Sequence, residues 1–414
     1  METRGPGVGP LIQLESKSLL DNDIRDLGIE SNFSFFKQPY SQYNTFNMQY
    51  HTSDLFYHPY GKTLLFDIPK QSHLVKSINL FINIYKLTSD VHWTNGVLFS
   101  MIKQIRLRCD NSLFYNIPFE YIFVKNSLQT SKSKKTCLDM LNGCFNVESS
   151  LYEFSQQNNV LYLQIPLFDY FPLLSIKNNN LRLEIDFNTL NNLICACSDN
   201  QYKIHCILNV SDDDVIRTQL QSEISVQSRN QINYFGYQFN IDYIELNEAE
   251  HTLFINKELK YTIEQMNYKQ IKTKYNTLLH IDLDDFINPT TQLIFTFELL
   301  NNIQYNKRIK YQTINEISLV LNGIKRKDRV NARLFKNHHR NLNYTKNIYS
   351  IGFALDSNNI RQPNGTYNFS TSSNNYLELF LDSSFNNENI IVNVYGPYYN
   401  FINIKDGNFK LEFI

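Results

Sequence analysis

The chain has 414 residues, and its 39 Lys and Arg residues almost balance its 40 Asp and Glu residues. This length is enough for two domains of ordinary size, and the balanced charge argues against a protein that binds nucleic acid through a basic surface. No apolar run approaches the roughly 18 residues of a membrane-spanning helix. Aromatic residues make up 14% of the chain, and aromatic side chains favour β-strands.

The first 30 residues predict an irregular or partly helical N-terminal arm. Glycine and proline recur through residues 1–10, which disfavours regular helices and strands there. The arm has no apolar stretch followed by a cleavage site, so a signal peptide is not expected. The six cysteines of the chain lack the dense spacing of a disulfide scaffold, and this predicts reduced thiols in a cytosolic setting.

Alternating apolar and polar residues predict β-strands through most of the chain. A period of two is typical of strands that bury one face. Asn322-Gly323 and Asp406-Gly407 have the composition of hairpin turns. The predicted strands lie at residues 78–85, 161–165, 181–187, 239–243, 293–299, 317–321 and 349–355.

Such strands stack as antiparallel sheets, because each sheet hides its apolar face against another sheet. Two eight-stranded jelly rolls fit the length of the chain, although two unrelated sandwiches would give a similar pattern. The polar segment 211–232 lacks strand alternation and could hold a short helix that begins near Asp212. The prediction is an all-β fold, with an N-terminal arm at 1–30 and two consecutive antiparallel jelly rolls at 31–215 and 216–414.

One group of sulfur and imidazole side chains could be considered a zinc site. Cys195, Cys197, His205 and Cys206 lie within twelve residues. Their spacing is not a common arrangement of ligand pairs two to four residues apart. We therefore favour a group of buried or loop thiols and assign no metal ligand.

Two acidic groups invite a chemical interpretation, and neither supports one. The first lacks the Gly and Glu positions of a calcium-binding loop and is interpreted as a set of turn acids. The second has no spacing that selects a pair of glycosidase carboxylates. We therefore assign no catalytic or cofactor-binding residue. The first group is Asp282, Asp284 and Asp285, and the second is Glu245, Glu248 and Glu250.

Residues 324–340, IKRKDRVNARLFKNHHR, form the densest basic run. DNA, a membrane surface or another anionic neighbour would suit such charge. A solvated loop between strands also accounts for it and is the interpretation favoured here. His338 and His339 have no neighbouring carboxylate or Cys cluster that would complete a metal site.

Seven segments, in a fixed order along the chain, carry a family resemblance. The clearest is IYSIGFALDSNNIRQPNGTYNFS at 348–370, a strand followed by turn residues and then the sequence QPNGTYNFS. Together the seven segments resemble the double jelly-roll major capsid proteins of large eukaryotic DNA viruses. The other six are GPLIQL (9–14), NFSFFKQPYSQYNTFNMQ (32–49), LYLQIPLFDYFPLLSIKNNNLRLEIDF (161–187), YIELNEAEHTLFINKELKYTIEQM (243–266), ISLVLNGIKR (317–326) and VYGPYYNFINIKDGNFKLEF (394–413).

The resemblance implies a structural protein rather than an enzyme, without a cofactor. It implies pseudo-hexagonal homotrimers, in which two jelly rolls per chain give six sandwiches around a threefold axis. These capsomers would assemble in the host cytoplasm into the icosahedral capsid of the virion. The implied partners are further copies of the chain, neighbouring capsomers, minor capsid proteins and an inner membrane, and no sequence-specific nucleic acid.

Two alternatives stay open at this point. A minor capsid paralogue or scaffold protein of the same fold would differ from a major capsid protein in its copy number in the particle. A carbohydrate-binding or hydrolysing β-sandwich would carry an aromatic platform or a pair of carboxylates. The presence of a single Trp argues against a sugar platform.

Overall fold

The computed structural model describes most of the chain between residues 46 and 412. All of the described residues belong to one compact unit, 46–414. The predicted arm at 1–30 and the polar segment at 211–232 lie outside the described residues. The structure describes residues 46–87, 91–110, 112–129, 132–145, 148–165, 170–176, 178–198, 203–206, 233–256, 258–286, 288–300, 311–336, 347–357, 364–382 and 388–412.

Twelve strands and four short helices make up the first half of the described chain. The helices are α1 (Val97–Met101), α2 (Phe119–Gln129), α3 (Lys132–Leu141) and α4 (Glu148–Ser155). The strands are β1 (Phe46–Thr52), β2 (Phe56–Pro59), β3 (Thr63–Asp67), β4 (Leu74–Ile84), β5 (Val91–Trp93), β6 (Ile102–Cys109), β7 (Ser112–Pro118), β8 (Asn159–Ile165), β9 (Leu181–Phe187), β10 (Ile194–Ser198), β11 (Lys203–Cys206) and β12 (Tyr234–Leu246).

The first half forms a sandwich of two antiparallel sheets. One sheet has the order β1-β12-β4-β8, with β2 continuing β1 along the same side of β12, and the other has the order β3-β9-β6-β7. A small sheet, β11-β10-β5, is separate from both. If β1 and β2 count as one interrupted strand, the eight principal strands run 1-8-3-6 in one sheet and 2-7-4-5 in the other. This is the strand order of a jelly roll.

The second half begins with a helix, α5 (Glu248–Asn256), and repeats this arrangement. Its principal sheets have the orders β13-β22-β16-β19 and β14-β21-β17-β18, which again correspond to 1-8-3-6 and 2-7-4-5. The strands are β13 (Leu259–Lys274), β14 (Leu278–Asp282), β15 (Pro289–Thr290), β16 (Gln292–Leu299), β17 (Glu316–Leu321), β18 (Ile324–Asn331), β19 (Ile348–Gly352), β20 (Tyr367–Asn368), β21 (Tyr376–Phe380), β22 (Asn389–Lys405) and β23 (Asn408–Leu411).

Two consecutive jelly rolls therefore confirm the predicted fold class. The strand pairing differs from the predicted division at residues 215 and 216. β12 lies beyond that boundary, yet it pairs with β1, β2 and β4 and is the eighth strand of the first jelly roll. Because the first and eighth strands of a jelly roll are neighbours in one sheet, residues 234–246 belong to the first jelly roll, and the second begins after Leu246.

Buried apolar side chains fill both sandwiches. Ile78, Leu80 and Ile82 on β4 are fully buried, as their alternation predicts, and each side chain of this size contributes about 1.5–3 kcal/mol when removed from water. Trp93, the only Trp of the chain, lies on β5 in the core of the first jelly roll, with its ring 6.5 Å from that of Tyr60. A second cluster fills the second jelly roll, with side chains from β14, β16, β17, β21 and β22.

Both predicted hairpin turns are present. Asn322 and Gly323 have φ values of 54° and 71°, and Asp406 and Gly407 have φ values of 52° and 79°. Positive φ at both central residues is the geometry that matches the twist of a two-residue hairpin. These turns connect β17 to β18 and β22 to β23.

The strand predicted at 349–355 ends earlier than expected. β19 stops at Gly352, and Leu355 is 94% exposed, so residues 353–355 of the predicted strand are not part of it. The carbonyl oxygen of Thr291 accepts from the N–H groups of both Phe353 and Ala354, at 2.8 and 3.1 Å, and the chain turns there. Gly365 packs against this turn with φ of 142°, and a Cβ on it would lie 3.1 Å from Ala354 Cα.

Candidate functional site

The four residues considered as zinc ligands lie on the hairpin of β10 and β11. The backbone register sets Cys195 opposite Cys206 and Ala196 opposite His205. Cys195 is buried. Within the described ranges, no three His, Cys, Asp or Glu side chains come together as a metal-binding group.

The first acidic group stabilises a loop. Asp284 accepts hydrogen bonds from the backbone N–H and side-chain Nδ2 of Asn375, both at 2.9 Å, and from the N–H of Asn374 at 3.1 Å. The hydrogen bond from the backbone of Asn375 is the main reason that the pKa of Asp284 lies below its ordinary value. Asp285 pairs with Lys269 at 2.6 Å, and Asp282 accepts from the N–H of Asp284 at 2.9 Å.

The second acidic group also has local structural contacts. Glu245 on β12 accepts from Gln49 Nε2 at 2.7 Å. Glu248 and Glu250 lie in the first turn of α5, where negative charge is favourable. Asn247 accepts from the N–H of Glu250 at 2.9 Å and so caps this helix.

The basic run is an edge strand, not the predicted loop. The turn at Asn322-Gly323 directs the chain back along β17, and β18 is the outermost strand of its sheet. We call residues 324–336 the basic edge, because they contain six Lys and Arg residues and one Asp. All residues of β18 except Val330 are exposed. His338, His339 and Arg340 lie outside the described residues.

Two cations of the basic edge contact the sheet through their side chains. Arg329 lies with its guanidinium carbon 4.5 Å from the centre of the Phe380 ring and its Nε 3.3 Å from Glu316. Lys336 donates to Asn347 Oδ1 at 2.5 Å and lies over the ring of Tyr349. Partial burial lowers the pKa of Lys336. Of the other cations of β18, Lys325 pairs with Asp328 at 3.1 Å, and Arg326 and Lys327 are exposed.

A second exposed edge lies on the first jelly roll. Residues 46–59, which we call the aromatic edge, form β1 and β2 and contain no Lys or Arg. β1 and β2 pair with β12 on one side only, and no described strand pairs with their outer side. The large exposed side chains of this edge are Phe46, Tyr50, Leu55, Phe56 and Tyr57, with exposed fractions of 45–66%.

The junction between the two jelly rolls is buried and polar. Helix α2 contacts strands β13 and β22 of the second jelly roll. Glu264 on β13, 9% exposed, accepts from the hydroxyl of Tyr121 at 3.3 Å and forms an ion pair with Lys125. Burial, followed by the charge of Glu264, raises the pKa of Tyr121 well above its ordinary value. Removing one partner of such a pair is strongly destabilising, because the other charge is left buried without compensation.

Further contacts extend the junction in both directions. Gln265 Nε2 donates to the carbonyl of Phe114 at 2.7 Å, and the ring of Phe114 lies 4.8 Å from that of Phe409. The hydroxyl of Tyr395 donates to Glu120 at 3.4 Å. A cleft of about 350 Å³ beside the junction is lined from both jelly rolls. These contacts fix the relative position of the two sandwiches.

The family comparison covers the first half of the chain. Residues 34–247 match the family model described as the major capsid protein N-terminus. The match ends one residue after β12. No curated protein shows a significant sequence match. In the part of the chain that the structure describes, no helix has the length and apolar character needed to cross a bilayer.

Solved virus structures resemble the fold at low sequence identity. A quasi-atomic model of the PBCV-1 virus capsid matches with a TM-score of 0.70 at 16% identity, over 92% of this chain and 100% of the other. The Faustovirus major capsid protein matches with a TM-score of 0.62 at 9% identity, over 94% and 95%. A cryo-EM structure of the Sputnik virophage gives 0.54 at 9% identity, over 94% and 92%.

Proposed function

We propose that this chain, which belongs to the major capsid protein family, self-assembles into pseudo-hexagonal homotrimers that tile the icosahedral shell of a large eukaryotic DNA virus. As a member of this family it is a component of a viral capsid. Family and fold together point to a structural role rather than an enzymatic one. The family match favours this function over the carbohydrate-binding alternative considered from the sequence.

The observation that carries the proposal is the repeat of one jelly-roll order within a single chain. Both halves have strand orders of 1-8-3-6 and 2-7-4-5, and a buried junction holds them side by side. Three such chains around a threefold axis would place six similar sandwiches in a ring. Closed symmetry of this kind lets identical chains bury large areas with one repeated contact.

A fixed junction supports the proposal because a capsid subunit in a regular shell must keep a constant shape. The ion pair of Lys125 with Glu264 and the packing of Phe114 against Phe409 join the two jelly rolls within each chain. Neighbouring capsomers, minor capsid proteins and an inner membrane would then contact this trimer, and assembly would take place in the host cytoplasm. A minor capsid paralogue with the same fold would differ in copy number.

The test is the mass of the purified protein in solution, measured by light scattering on a sizing column at micromolar concentration. We expect three times the chain mass of 48.9 kDa. Electron micrographs of the same fraction should show particles with a hexagonal outline and threefold symmetry. A monodisperse monomer across the accessible concentrations would contradict the proposal.

A further inference from the structure

The contact between the two jelly rolls joins unlike surfaces. The first jelly roll contributes its fifth strand, β7, and the helix α2 that follows it. The second contributes its first and eighth strands, β13 and β22. Gln265 on β13 donates to Phe114 on β7, and the ring of Tyr121 on α2 lies 5.5 Å from that of Tyr395 on β22. This contact uses the fifth-strand surface of the first jelly roll and the first-and-eighth-strand surface of the second. The first jelly roll therefore keeps its own first-and-eighth-strand surface unused, and the second keeps its own fifth-strand surface unused.

The two unused surfaces are the equivalent ones on the opposite jelly rolls. The fifth strand of the second jelly roll is β18, and the turn Ala332–Lys336 follows it. The first strand of the first jelly roll is the interrupted strand β1–β2, beside the eighth strand β12. Both β18 and β1–β2 are outermost in their sheets, and no described strand covers them. The basic edge and the aromatic edge therefore repeat the two sides of the internal contact.

The two edges are chemically complementary. Six Lys and Arg residues lie on the basic edge, whereas the aromatic edge has no Lys or Arg and exposes four Phe and Tyr rings. Cations bind favourably to the faces of aromatic rings. The chain already uses this contact, because Arg329 lies 4.5 Å from the ring centre of Phe380 and Lys260 lies 4.4 Å from that of Phe401. Exposed apolar side chains repeated along an unpaired edge suit an interaction surface.

The first jelly roll also carries acidic groups at or near its aromatic edge. In the internal contact, Lys125 from the side of the fifth strand pairs with Glu264 on the first strand of the other jelly roll. On the first jelly roll, Asp54 lies within the aromatic edge, and Glu245 lies on β12 beside β1. Arg333, exposed just after β18, is a suitable cation for either carboxylate.

We propose that the basic edge of one copy, residues 324–336, binds the aromatic edge of a second copy, residues 46–59, in a repeat of the contact between the two jelly rolls. The proposal rests on the proposed self-assembly and identifies the surface responsible for it. Each chain has one edge of each kind, so its aromatic edge binds the basic edge of one neighbouring copy and its basic edge binds the aromatic edge of another. Three such contacts close the ring of the homotrimer.

The test is the solution mass of two full-length variants, one on each edge. Arg326→Glu/Lys327→Glu reverses charge on the basic edge, and Tyr50→Lys/Tyr57→Lys places cations on the aromatic edge. We expect each variant to shift from three chain masses to one, with at least a ~100-fold rise in the concentration at which the trimer dissociates. The matched control, Lys272→Glu/Lys274→Glu, makes the same charge change at exposed positions of β13 and should stay trimeric.

A charge exchange separates loss of the contact from loss of the fold. The chain that carries all four edge substitutions sets the introduced carboxylates of the basic edge against the introduced cations of the aromatic edge, and it should return to three chain masses. Edge variants that remain trimeric, or a loss of assembly that the exchange does not restore, would overturn the inference while leaving the proposed trimer intact. A wild-type protein that is monomeric throughout would overturn the proposed function as well.

Discussion

The fifth strands of the two jelly rolls hold the same position in the fold but have different surroundings. β7, SLFYNIP, buries Phe114, Tyr115 and Ile117 beside the junction. β18, IKRKDRVN, is exposed along almost its whole length. The position of a strand in its sheet therefore does not determine whether the strand is buried. Burial depends on whether another part of the protein packs against its outer side. Apolar residues suit a contact made once during folding, and charged residues keep an edge from pairing indiscriminately.

The largest effect should come from the buried member of this pair. Phe114→Ala removes a fully buried ring that packs on Phe409, and should lower the free energy of unfolding by about 3–5 kcal/mol because a cavity remains at the junction. Arg326→Ala on β18 should change it by less than about 0.5 kcal/mol. Urea denaturation of both variants measures the difference. Equal losses of unfolding free energy in the two variants would mean that β7 and β18 do not differ in burial.

The ion pair at the junction gives a second contrast. Lys125→Met leaves the carboxylate of Glu264 buried without its cation, and should cost about 3 kcal/mol of unfolding free energy. The same substitution on β18, Lys327→Met, should be nearly neutral. Lys125→Met/Glu264→Leu should recover most of the loss, because no uncompensated charge then remains. If Lys125→Met alone unfolds at the wild-type urea concentration, the pair does not contribute to the junction.

A smaller effect should arise away from both the junction and the edges, at Asp284. Its hydrogen bonds from Asn375 and Asn374 lower the pKa of the folded-state carboxyl. Such a carboxyl stabilises the fold above the unfolded-state pKa, near 4, and the contribution is lost as the pH falls through the folded-state value. Asp284→Asn should therefore lower the free energy of unfolding by about 1 kcal/mol at neutral pH, a modest figure because the group is exposed.

Repeating the denaturation under acidic conditions completes that experiment. The difference between wild type and Asp284→Asn should shrink as the pH falls below the unfolded-state pKa, since the wild-type carboxyl is then protonated as well. A difference that stays constant from neutral to acidic pH would show that the charge of Asp284 does not matter. Asp285→Asn, on the same loop, is the matched control because its carboxylate contacts Lys269 instead.

The predictable part of the fold is the part in which one strand face is buried. β4, β8, β9 and β12 alternate in sequence because they separate a core from a second face, and the prediction follows this pattern. β18 has no alternation because both of its faces are exposed, so its sequence predicts a loop rather than a strand. Periodicity reports burial rather than backbone pairing. The hairpin turn at Asn322-Gly323 was the signal that a strand follows.

Helix α2 and the domain boundary escaped prediction for other reasons. Phe119, Tyr121, Ile122, Phe123 and Val124 are all buried, so α2 has no polar face to reveal a helical period. Composition also cannot show which sandwich β12 joins, because its partners precede it by more than a hundred residues. The two edges that carry the proposed contact depend on this pairing. The sequence could indicate their charge and aromatic content but not their equivalence.

The position of Trp93 gives the two jelly rolls different optical signatures. It is the only Trp of the chain and is buried in the first jelly roll. The second jelly roll carries Tyr and Phe alone, so selectively excited tryptophan fluorescence follows the unfolding of the first jelly roll. Circular dichroism follows both. Coincident transitions by the two methods would mean that the junction couples the jelly rolls into one cooperative unit, and separated transitions would resolve the stability of each half.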